Sequence, residues 1–422
     1  MQRLIALGVF LSICGASVLA ADWPQWRGPE RSGVSKETGL LKQWPTGGPK
    51  LIWQVNNLED GYSTPVVVGD RIYLMSNHGM DNEYVQAIST KDGKVIWTAR
   101  VGNVGNPNQN PPYPKARSTP TVDGAFLYAL GSDGDLACLE AKTGKIRWTK
   151  NLRREFGGQP GEWAYAESPL VDGDTVVVTP GGSQATMVAL NKKTGAVIWK
   201  SAIPNGEPAG YASAIVMQAA GRRQYVQLLS KGLVGVDAKT GQFLWRYNDV
   251  AKGPAQYFTP VAQGEYVYCG ALGIGGGMVK LQAKENGVVA EPVYYTRGLP
   301  NGIGGAVIFN NYLYGTEVGQ KLVAVEFATG KVAWEAKDFG WASIAAADGR
   351  LYLHLTSGDF ALVEATPAGF EEKGRFTPPN QPAKKQAGGF PEQAFAYPVI
   401  ANGRLYIRDL GTMWAYDIKD KK

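Results

Sequence analysis

The sequence repeats one short unit, a turn in which a glycine is followed four residues later by a tryptophan. An alternating apolar run, which has the period of a β-strand, precedes most copies, as in Met187-Val-Ala-Leu-Asn191. The Thr-Gly or Asp-Gly step supplies the positive φ angle that a tight hairpin needs. Five copies are complete: Asp92-Gly-Lys-Val-Ile-Trp97, Thr143-Gly-Lys-Ile-Arg-Trp148, Thr194-Gly-Ala-Val-Ile-Trp199, Thr240-Gly-Gln-Phe-Leu-Trp245 and Thr329-Gly-Lys-Val-Ala-Trp334. The unit therefore predicts strands joined by hairpins along the whole chain.

A second series of turns separates pairs of apolar strands. Eight such turns lie between Asp70 and Asn402, so 332 residues over seven intervals give a mean period of about 47 residues. Each period holds four strands, which we name a, b, c and d in chain order. A radial array of four-stranded antiparallel sheets is a β-propeller. The sequence predicts an all-β fold with eight blades, and a seven-bladed ring is the alternative if one degenerate unit is not a blade.

The last unit ends after three strands, with Trp414-Ala-Tyr-Asp-Ile418 as strand c. The segment Lys50-Leu-Ile-Trp-Gln54 precedes the first strand a and carries Trp53 at the strand d position. We therefore expect this N-terminal strand to close the ring, which removes exposed sheet edges. Two units are degenerate: the fifth has Asn286-Gly287 and Tyr295, and the seventh has Ala368-Gly369 and Phe376.

The first 20 residues have the pattern of a secretory signal peptide, with Arg3, an apolar run and the small-residue site Val18-Leu19-Ala20. We expect an N-terminal extension over residues 21–49 and a single propeller domain over residues 50–422. The mature chain is then exported to the periplasm or the extracellular space. Lipid anchoring at Cys14 is less favoured because Ile13 is a poor residue before a lipidated cysteine. No later apolar stretch is long enough to span a membrane.

Composition excludes several classes of function. The chain has only two histidines, His78 and His354, which excludes a multi-histidine metal site and disfavours a hydrolase. Removing Arg3 from the formal net charge of +6 leaves +5 on about 400 residues, so there is no stripe for nucleic acid. Cys138 and Cys269 lie in apolar strand-like runs, and we expect buried, unreactive thiols there.

The pattern Ala-x-Thr-Gly-x-x-x-Trp, best seen at Ala141–Trp148 and Ala238–Trp245, resembles the tryptophan-docking repeat of the quinoprotein propellers. The resemblance covers about residues 50 to 420 and reaches two groups. One is the dehydrogenases that depend on pyrroloquinoline quinone (PQQ). The other is the non-enzymatic PQQ-like propellers, which include the outer-membrane protein assembly factor and exported proteins that open with a segment like Asp22-Trp-Pro-Gln-Trp-Arg-Gly-Pro29.

The resemblance implies different cofactors for the two groups. Alcohol-type quinoprotein dehydrogenases carry adjacent cysteines that form a ring stacking on PQQ, and their calcium ligands include carboxylates and an amide. No two cysteines are adjacent in this chain, and a complete set of calcium ligands does not align. The resemblance therefore favours the group without a cofactor over an enzyme that binds PQQ with calcium.

The alternating strands of a propeller place two kinds of connection on opposite faces. The a–b and c–d turns form a short-turn face, and the b–c and d–a connections form a long-loop face with connectors such as residues 101–117, 151–166 and 377–396. Each connector ends beside the central channel in polar and aromatic residues. We therefore predict a ligand site there, formed by Arg117, Trp163, Tyr165, Glu167, Tyr211, Tyr257, Trp341 and Tyr397.

Three functions are consistent with the sequence. The favoured one is a binding or scaffold protein of the cell envelope, a monomer without catalysis of its own, whose long-loop face takes a protein partner, a small molecule or a glycan. The second is a PQQ-dependent oxidoreductase acting on alcohols or sugars, with Glu167 and Arg117 nearest the quinone. The third is a module that binds carbohydrate or peptide through its aromatic residues.

Overall fold

Eight four-stranded antiparallel sheets follow one another along the chain and form the blades of a β-propeller. The structure is a computed structural model that describes residues 21–109, 115–252, 255–285, 287–387 and 390–420. The prediction of an all-β, eight-bladed ring is confirmed, and both degenerate units are complete blades. The expected signal peptide lies outside the described residues.

Blades 1 to 4 each contain four consecutive strands. Their strands a to d are Val66–Val68, Arg71–His78, Asn82–Ser89 and Val95–Asn103 in blade 1; Thr121–Asp123, Phe126–Leu130, Asp135–Glu140 and Ile146–Asn151 in blade 2; Leu170–Asp172, Thr175–Val178, Met187–Asn191 and Val197–Ser201 in blade 3; and Ile215–Ala219, Arg222–Leu229, Gly232–Asp237 and Phe243–Tyr247 in blade 4.

Blades 5 to 7 repeat this order, and blade 8 takes its outer strand from the N-terminal part of the chain. The strands are Val261–Gln263, Tyr266–Ala271, Gly275–Lys284 and Gly287–Thr296 in blade 5; Ala306–Phe309, Tyr312–Thr316, Leu322–Glu326 and Val332–Ala336 in blade 6; Ala342–Ala347, Arg350–Leu355, Phe360–Glu364 and Glu372–Phe376 in blade 7; and Val399–Ala401, Arg404–Asp409, Thr412–Asp417 and Lys50–Val55 in blade 8.

The remaining elements lie in the connectors of the long-loop face. They are an α-helix at Leu152–Phe156, a 3-10 helix at Asp249–Ala251 and a small hairpin formed by Gln386–Ala387 and Phe390–Pro391. Within the described parts of the chain, no helix has the length and apolar character needed to cross a membrane.

The repeated tryptophan docks its blade on the next one in every complete copy except Trp245, which donates from Nε1 to Gln224 Oε1 of its own blade at 2.6 Å. Trp199 pairs with Ala189 at a β-bulge of blade 3, and its Nε1 donates to the carbonyl of Ala238 in blade 4 at 3.2 Å. Its indole covers Gly241, where φ is +75° and a Cβ atom would lie 2.6 Å from the ring. The Thr-Gly turn therefore needs glycine for its backbone angle and for the close approach of the neighbouring tryptophan.

The two degenerate blades fill the docking position differently from the expectation. In blade 5 the residue in register is Tyr294, not Tyr295, and the Tyr294 hydroxyl donates to the carbonyl of Phe327 at 2.9 Å. In blade 7 the register position is Gly374, not Phe376. Trp44 of the N-terminal extension covers Gly374, where a Cβ atom would lie 2.7 Å from the Trp44 side chain.

The predicted closing strand is confirmed. Lys50–Val55 pairs with Thr412–Asp417, and Trp53 lies opposite Ala415. The Trp53 Nε1 donates to the carbonyl of Thr90 in blade 1 at 2.9 Å. The ring is therefore closed by the same docking contact that Trp199 makes between blades 3 and 4.

The apolar core lies between neighbouring blades, where the tryptophans pack against tyrosines. Trp199 and Tyr225, on blades 3 and 4, have ring centroids 6.1 Å apart. Cys138 and Cys269 are fully buried, as expected, and burial raises the pKa of the Cys138 thiol to about 11. His354 is also buried and its ring contacts the carbonyl of Ala396 at 2.9 Å, which is a structural role.

Candidate functional site

A cavity of about 340 Å³ opens at the centre of the long-loop face, and we call it the cup. Its size lies at the lower end of the range of small-molecule and anchor pockets in proteins. Most of its lining is aromatic or aliphatic, with one charged group. The lining residues are Trp26, Tyr62, Arg117, Trp163, Ala166, Tyr211, Ser213, Ala255, Tyr257, Leu272, Ile303, Phe395 and Tyr397.

The repeat places one residue of every blade at the rim of the channel. This residue comes three positions before the Pro or its substitute that leads into strand a, as Tyr62 does in Tyr62-Ser-Thr-Pro65 and Arg117 in Arg117-Ser-Thr-Pro120. The strand pairings show that eight residues are equivalent in this way: Tyr62, Arg117, Ala166, Tyr211, Tyr257, Ile303, Trp341 and Phe395. Seven of them line the cup, because the fold brings these positions together around one axis.

A ring of hydroxyl groups supports the cup from below. In five blades, the Ser or Thr two positions after the rim residue accepts a hydrogen bond from the backbone N–H of the equivalent residue in the preceding blade. The bonds are Tyr397 N to Thr64 Oγ1 at 3.0 Å, Thr64 N to Thr119 Oγ1 at 3.2 Å, Thr119 N to Ser168 Oγ at 2.9 Å, Ser168 N to Ser213 Oγ at 2.9 Å and Ser213 N to Thr259 Oγ1 at 3.4 Å. Backbone donors that face the channel are thereby satisfied without water.

The charged group of the cup is the guanidinium of Arg117. Its Nη1 donates to the carbonyl of Trp163 at 3.0 Å. Burial lowers the pKa of Arg117, while Tyr62, Glu83 and Tyr211 nearby raise it. Since an arginine stays protonated in proteins, the cup carries one positive charge on its side wall.

Glu83 lies behind the wall of the cup rather than in it. Its carboxylate is fully buried and accepts from the backbone N and the Oγ of Ser132, each at 2.6 Å. Burial raises the pKa of Glu83 to about 7, against the opposing effects of Ser132 and Arg117. The protonated form of this carboxyl is therefore favoured more than in an exposed glutamate.

The aromatic side chains of the cup hold one another in place. Trp163 and Tyr211 have ring centroids 5.4 Å apart, and the backbone N–H of Trp163 donates to the Tyr211 hydroxyl at 3.2 Å. Tyr62 and Phe395 meet edge to face at 5.3 Å. Tyr257 donates from its hydroxyl to the carbonyl of Asn301 at 3.3 Å. The rings are thus fixed before any ligand arrives.

Five of the eight residues that the sequence singled out line the cup: Arg117, Trp163, Tyr211, Tyr257 and Tyr397. The other three lie elsewhere. Tyr165 is buried between blades 2 and 3 and donates to the carbonyl of Pro180 at 2.8 Å. Trp341 is half-buried on the long-loop face and donates from Nε1 to the carbonyl of Glu317 at 3.2 Å.

Glu167 points away from the cup into the wall of the ring. Its carboxylate accepts from the backbone N of Thr179 at 2.6 Å and from Gln227 Nε2 at 2.9 Å. Burial raises the pKa of Glu167 to about 7, and the charge of Arg31 acts in the opposite direction. These contacts give Glu167 a structural role between blades 3 and 4.

The predicted set omitted Trp26, Tyr62 and Phe395 among the aromatic residues of the cup. Tyr62 and Phe395 could have been found from the rim position of the repeat, because each precedes strand a as Arg117 does. Trp26 lies in the N-terminal extension, which is not part of the repeat, and no sequence pattern connects it with the channel.

The lining of the cup does not fit PQQ with calcium. Calcium prefers several oxygen ligands that include carboxylates, and among the described residues no Asp or Glu lines the cup. Among the residues that the structure describes, no three His, Cys, Asp or Glu side chains are grouped closely enough to hold a metal ion. Cys138 and Cys269 belong to different blades, so they cannot form the cysteine ring that stacks on PQQ in alcohol-type quinoproteins.

A larger cleft lies outside the ring, between blades 3, 4 and 5, with a volume of about 810 Å³. Four of its charged side chains form ion pairs, Arg223 with Asp172 at 2.5 Å and Arg222 with Asp237 at 3.2 Å. Paired, half-exposed charges offer little binding energy to a ligand. The cup is therefore the better candidate.

Comparisons with known proteins agree with this architecture. The family model described as outer membrane protein assembly factor BamB matches residues 81–335. BamB of Moranella endobia is 26% identical over 125 residues, which are 28% of this chain and 31% of that protein. The dehydrogenase subunit of alcohol dehydrogenase (quinone) from Gluconacetobacter polyoxogenes is 27% identical over 197 residues, which are 41% of this chain and 24% of that protein.

The crystal structure of BamB from Moraxella catarrhalis superposes with a TM-score of 0.61 at 15% identity, covering 88% of this chain and 98% of that chain. This likeness shows the shared fold. The chain aligns with less than a third of the length of either relative named above. Because the family model covers more than half of the sequence, the chain belongs to the family of the outer membrane protein assembly factor BamB.

Proposed function

We propose that this chain is a non-catalytic binding protein of the cell envelope, exported as a monomer, and that a partner protein docks on its long-loop face. The observation that carries the proposal is the cup, a preformed aromatic cavity at the centre of that face. Relatives named as outer membrane assembly factors support an envelope role.

The walls of the cup suit an anchoring side chain of a partner. Binding energy at protein interfaces concentrates where an aromatic or apolar group enters a dry, well-packed pocket near the centre. Trp163, Tyr211 and Tyr257 provide such walls, and their hydrogen bonds hold them in place. Arg117 adds a positive charge that favours a carboxylate next to the anchoring group.

The chemistry of the lining favours binding over catalysis. A general base or nucleophile must lie within hydrogen-bond reach of the reacting group. None of the lining residues that the structure describes is a His, Cys, Asp, Glu or Lys. The nearby carboxyl of Glu83 is fully buried and bonded to Ser132, so it is not available to a ligand.

Photo-crosslinking in the cells that make the protein tests this proposal. A benzoylphenylalanine is placed at Glu162, which is exposed beside the cup, or at Lys193, which is exposed on the short-turn face. We expect a discrete envelope protein to be captured from Glu162 and not from Lys193.

The crosslink from Glu162 should weaken when Trp163→Ala and Tyr211→Ala are combined, because both rings line the cup. The matched control is Trp341→Ala, which removes an indole of the same face outside the cup. Equal capture from both faces, or capture that the cup variants leave unchanged, would refute docking at the cup.

A further inference from the structure

The segment of residues 22–37 enters the central channel from the short-turn face. Asp22 accepts from the backbone N of Gly69, in an a–b turn of that face, at 3.0 Å. The next residues bond to innermost strands: the Trp23 N–H donates to the carbonyl of Val67 at 2.7 Å, and the Val122 N–H donates to the carbonyl of Pro24 at 2.8 Å. The segment therefore begins in the channel, beside the innermost strands of blades 1 and 2.

The tip of the segment reaches the cup. Trp26 lines the cup, donates from Nε1 to Thr259 Oγ1 at 2.9 Å, and meets the ring of Tyr397 edge to face at 4.6 Å. Arg27, which is 1% exposed, donates to the carbonyl of Ala306 in blade 6 and lies over the Tyr397 ring. Trp26 therefore forms the bottom of the cup.

The segment then leaves the channel along other blades. Arg31, which is 2% exposed, donates to the carbonyls of Ser168 at 2.8 Å and Pro169 at 3.0 Å, at the entrance to blade 3. Ser35 donates from its backbone to the carbonyl of Ala346 in blade 7 at 2.8 Å.

The fit of the segment is tight. Gly33 has a φ of +77°, and a Cβ atom there would lie 2.9 Å from Val307 of blade 6. The segment forms hydrogen bonds to blades 1, 2, 3, 5, 6 and 7, and Trp26 contacts the ring of Tyr397 at the entrance to blade 8. It therefore spans the whole channel.

We propose that residues 22–37 are an internal plug that closes the channel beneath the cup, and that Trp26 is the floor on which a bound group rests. The cup is then a blind site, which an apolar or ring-shaped group enters from the long-loop face only. The role of Trp26 as a ligand-contacting residue rests on the proposed function of the cup, whereas the plug does not.

Trypsin tests the plug in the whole mature chain. The bonds after Arg27 and Arg31 are ordinary trypsin sites in an extended terminus, but both side chains are buried in the channel. We expect the folded protein to resist cleavage at both bonds under conditions that cut the urea-unfolded chain completely, as followed by mass spectrometry of the N-terminal peptides. Cleavage of either bond in the folded chain at the rate seen in the unfolded chain would overturn the plug.

The fluorescent probe anilinonaphthalene sulfonate, an aromatic anion, tests the floor. Loss of one aromatic contact should weaken its binding about three- to tenfold in Trp26→Ala. Trp341→Ala, the matched control outside the cup, should bind the probe as the wild type does. If Trp26→Ala does not fold, Trp26→Phe replaces it and should retain most of the affinity, because a ring remains.

The outcomes separate the two proposals. Unchanged probe binding in a folded Trp26→Ala variant would refute the floor. If the wild type and the cup variant Trp163→Ala bind the probe equally, the cup is not a binding site, and the proposed function and the floor both fail. The trypsin result decides the plug in either case.

Discussion

Glu83 and Glu167 are carboxyl groups held away from water in the wall of the propeller. Both are at most 3% exposed, and burial raises the pKa of each to about 7. Their hydrogen bonds to Ser132, Thr179 and Gln227 only partly offset the cost of burying a charge. Each residue therefore makes the folded state sensitive to pH in a range where most carboxylates have stopped titrating.

The sign of this effect follows from proton binding. Between the ordinary pKa near 4.5 and the raised pKa of about 7, the folded chain binds more protons than the unfolded chain. The free energy of unfolding therefore falls as pH rises through this range, by up to about 3 kcal/mol for each carboxyl. Urea denaturation at several pH values between about 5 and 8 measures this fall.

Glu83→Gln provides the matched variant for this measurement. The amide is neutral at every pH and keeps an oxygen that accepts from Ser132. We expect a shallower pH dependence in this variant, with the contribution of Glu83 removed. A variant whose stability falls with pH as steeply as that of the wild type would show that Glu83 does not titrate in this range.

At the level of single residues, the sequence predicted the cup in part. Arg117, Tyr211 and Tyr257 could be found because the repeat brings each of them to the end of a connector. Glu167 was placed in the site for the same reason, yet it lies one position after the rim residue Ala166 and points into the blade wall. Position along a connector is visible in a sequence, but the direction of a side chain relative to a wall depends on packing.

At the level of secondary-structure elements, an aromatic ring fills the same register position in all eight blades, and in six of them it donates a hydrogen bond to a carbonyl of the next blade. Six blades use a tryptophan of their own strand d, blade 5 uses Tyr294, and blade 7 borrows Trp44 from the N-terminal extension. A side chain at Gly374 of blade 7 would clash with Trp44, which occupies that volume. Packing at this position therefore requires a buried aromatic ring, which either strand d or another part of the chain can supply.

Trp44→Ala should consequently destabilise the protein as much as loss of a repeat tryptophan. Trp44 is 4% exposed and packs against Tyr352 and Phe376 of blade 7. Trp199 is 8% exposed and packs against Tyr225 of blade 4. Truncation of either buried ring should cost about 3–5 kcal/mol of unfolding free energy. Urea denaturation compares both variants with Thr38→Ala, an exposed position of the same extension. An unchanged denaturation midpoint in Trp44→Ala would show that blade 7 does not need this ring.

The strand pattern predicted the blades correctly but did not predict which residue fills the docking position in the degenerate blades. Thr-Gly turns and alternating runs identified the blades and the closing strand Lys50–Val55, since both depend on local backbone geometry. No local sequence pattern indicates that Trp44 replaces the missing ring of strand d in blade 7, because Trp44 and Gly374 are more than 300 residues apart in the sequence.

At the level of the whole molecule, the ring, the extension and the connectors together build the cup. The extension supplies its floor through Trp26, and the repeat supplies its walls. Lys115 ties the connectors together at the rim, with Nζ 3.0 Å from Asp60 and 2.7 Å from Glu392, which precede blades 1 and 8. The cup is therefore formed in the free protein, so a ligand need not order it.

We propose that this propeller binds a partner through its cup and performs no quinone chemistry. Titration of residues 21–422 with PQQ and calcium tests this proposal, followed by a dye-linked dehydrogenase assay over alcohols and sugars. We expect no saturable PQQ binding at micromolar concentrations and no turnover, because none of the described lining residues supplies a carboxylate to hold calcium. Stoichiometric PQQ binding with substrate-dependent dye reduction would refute the proposal and make the cup an active site.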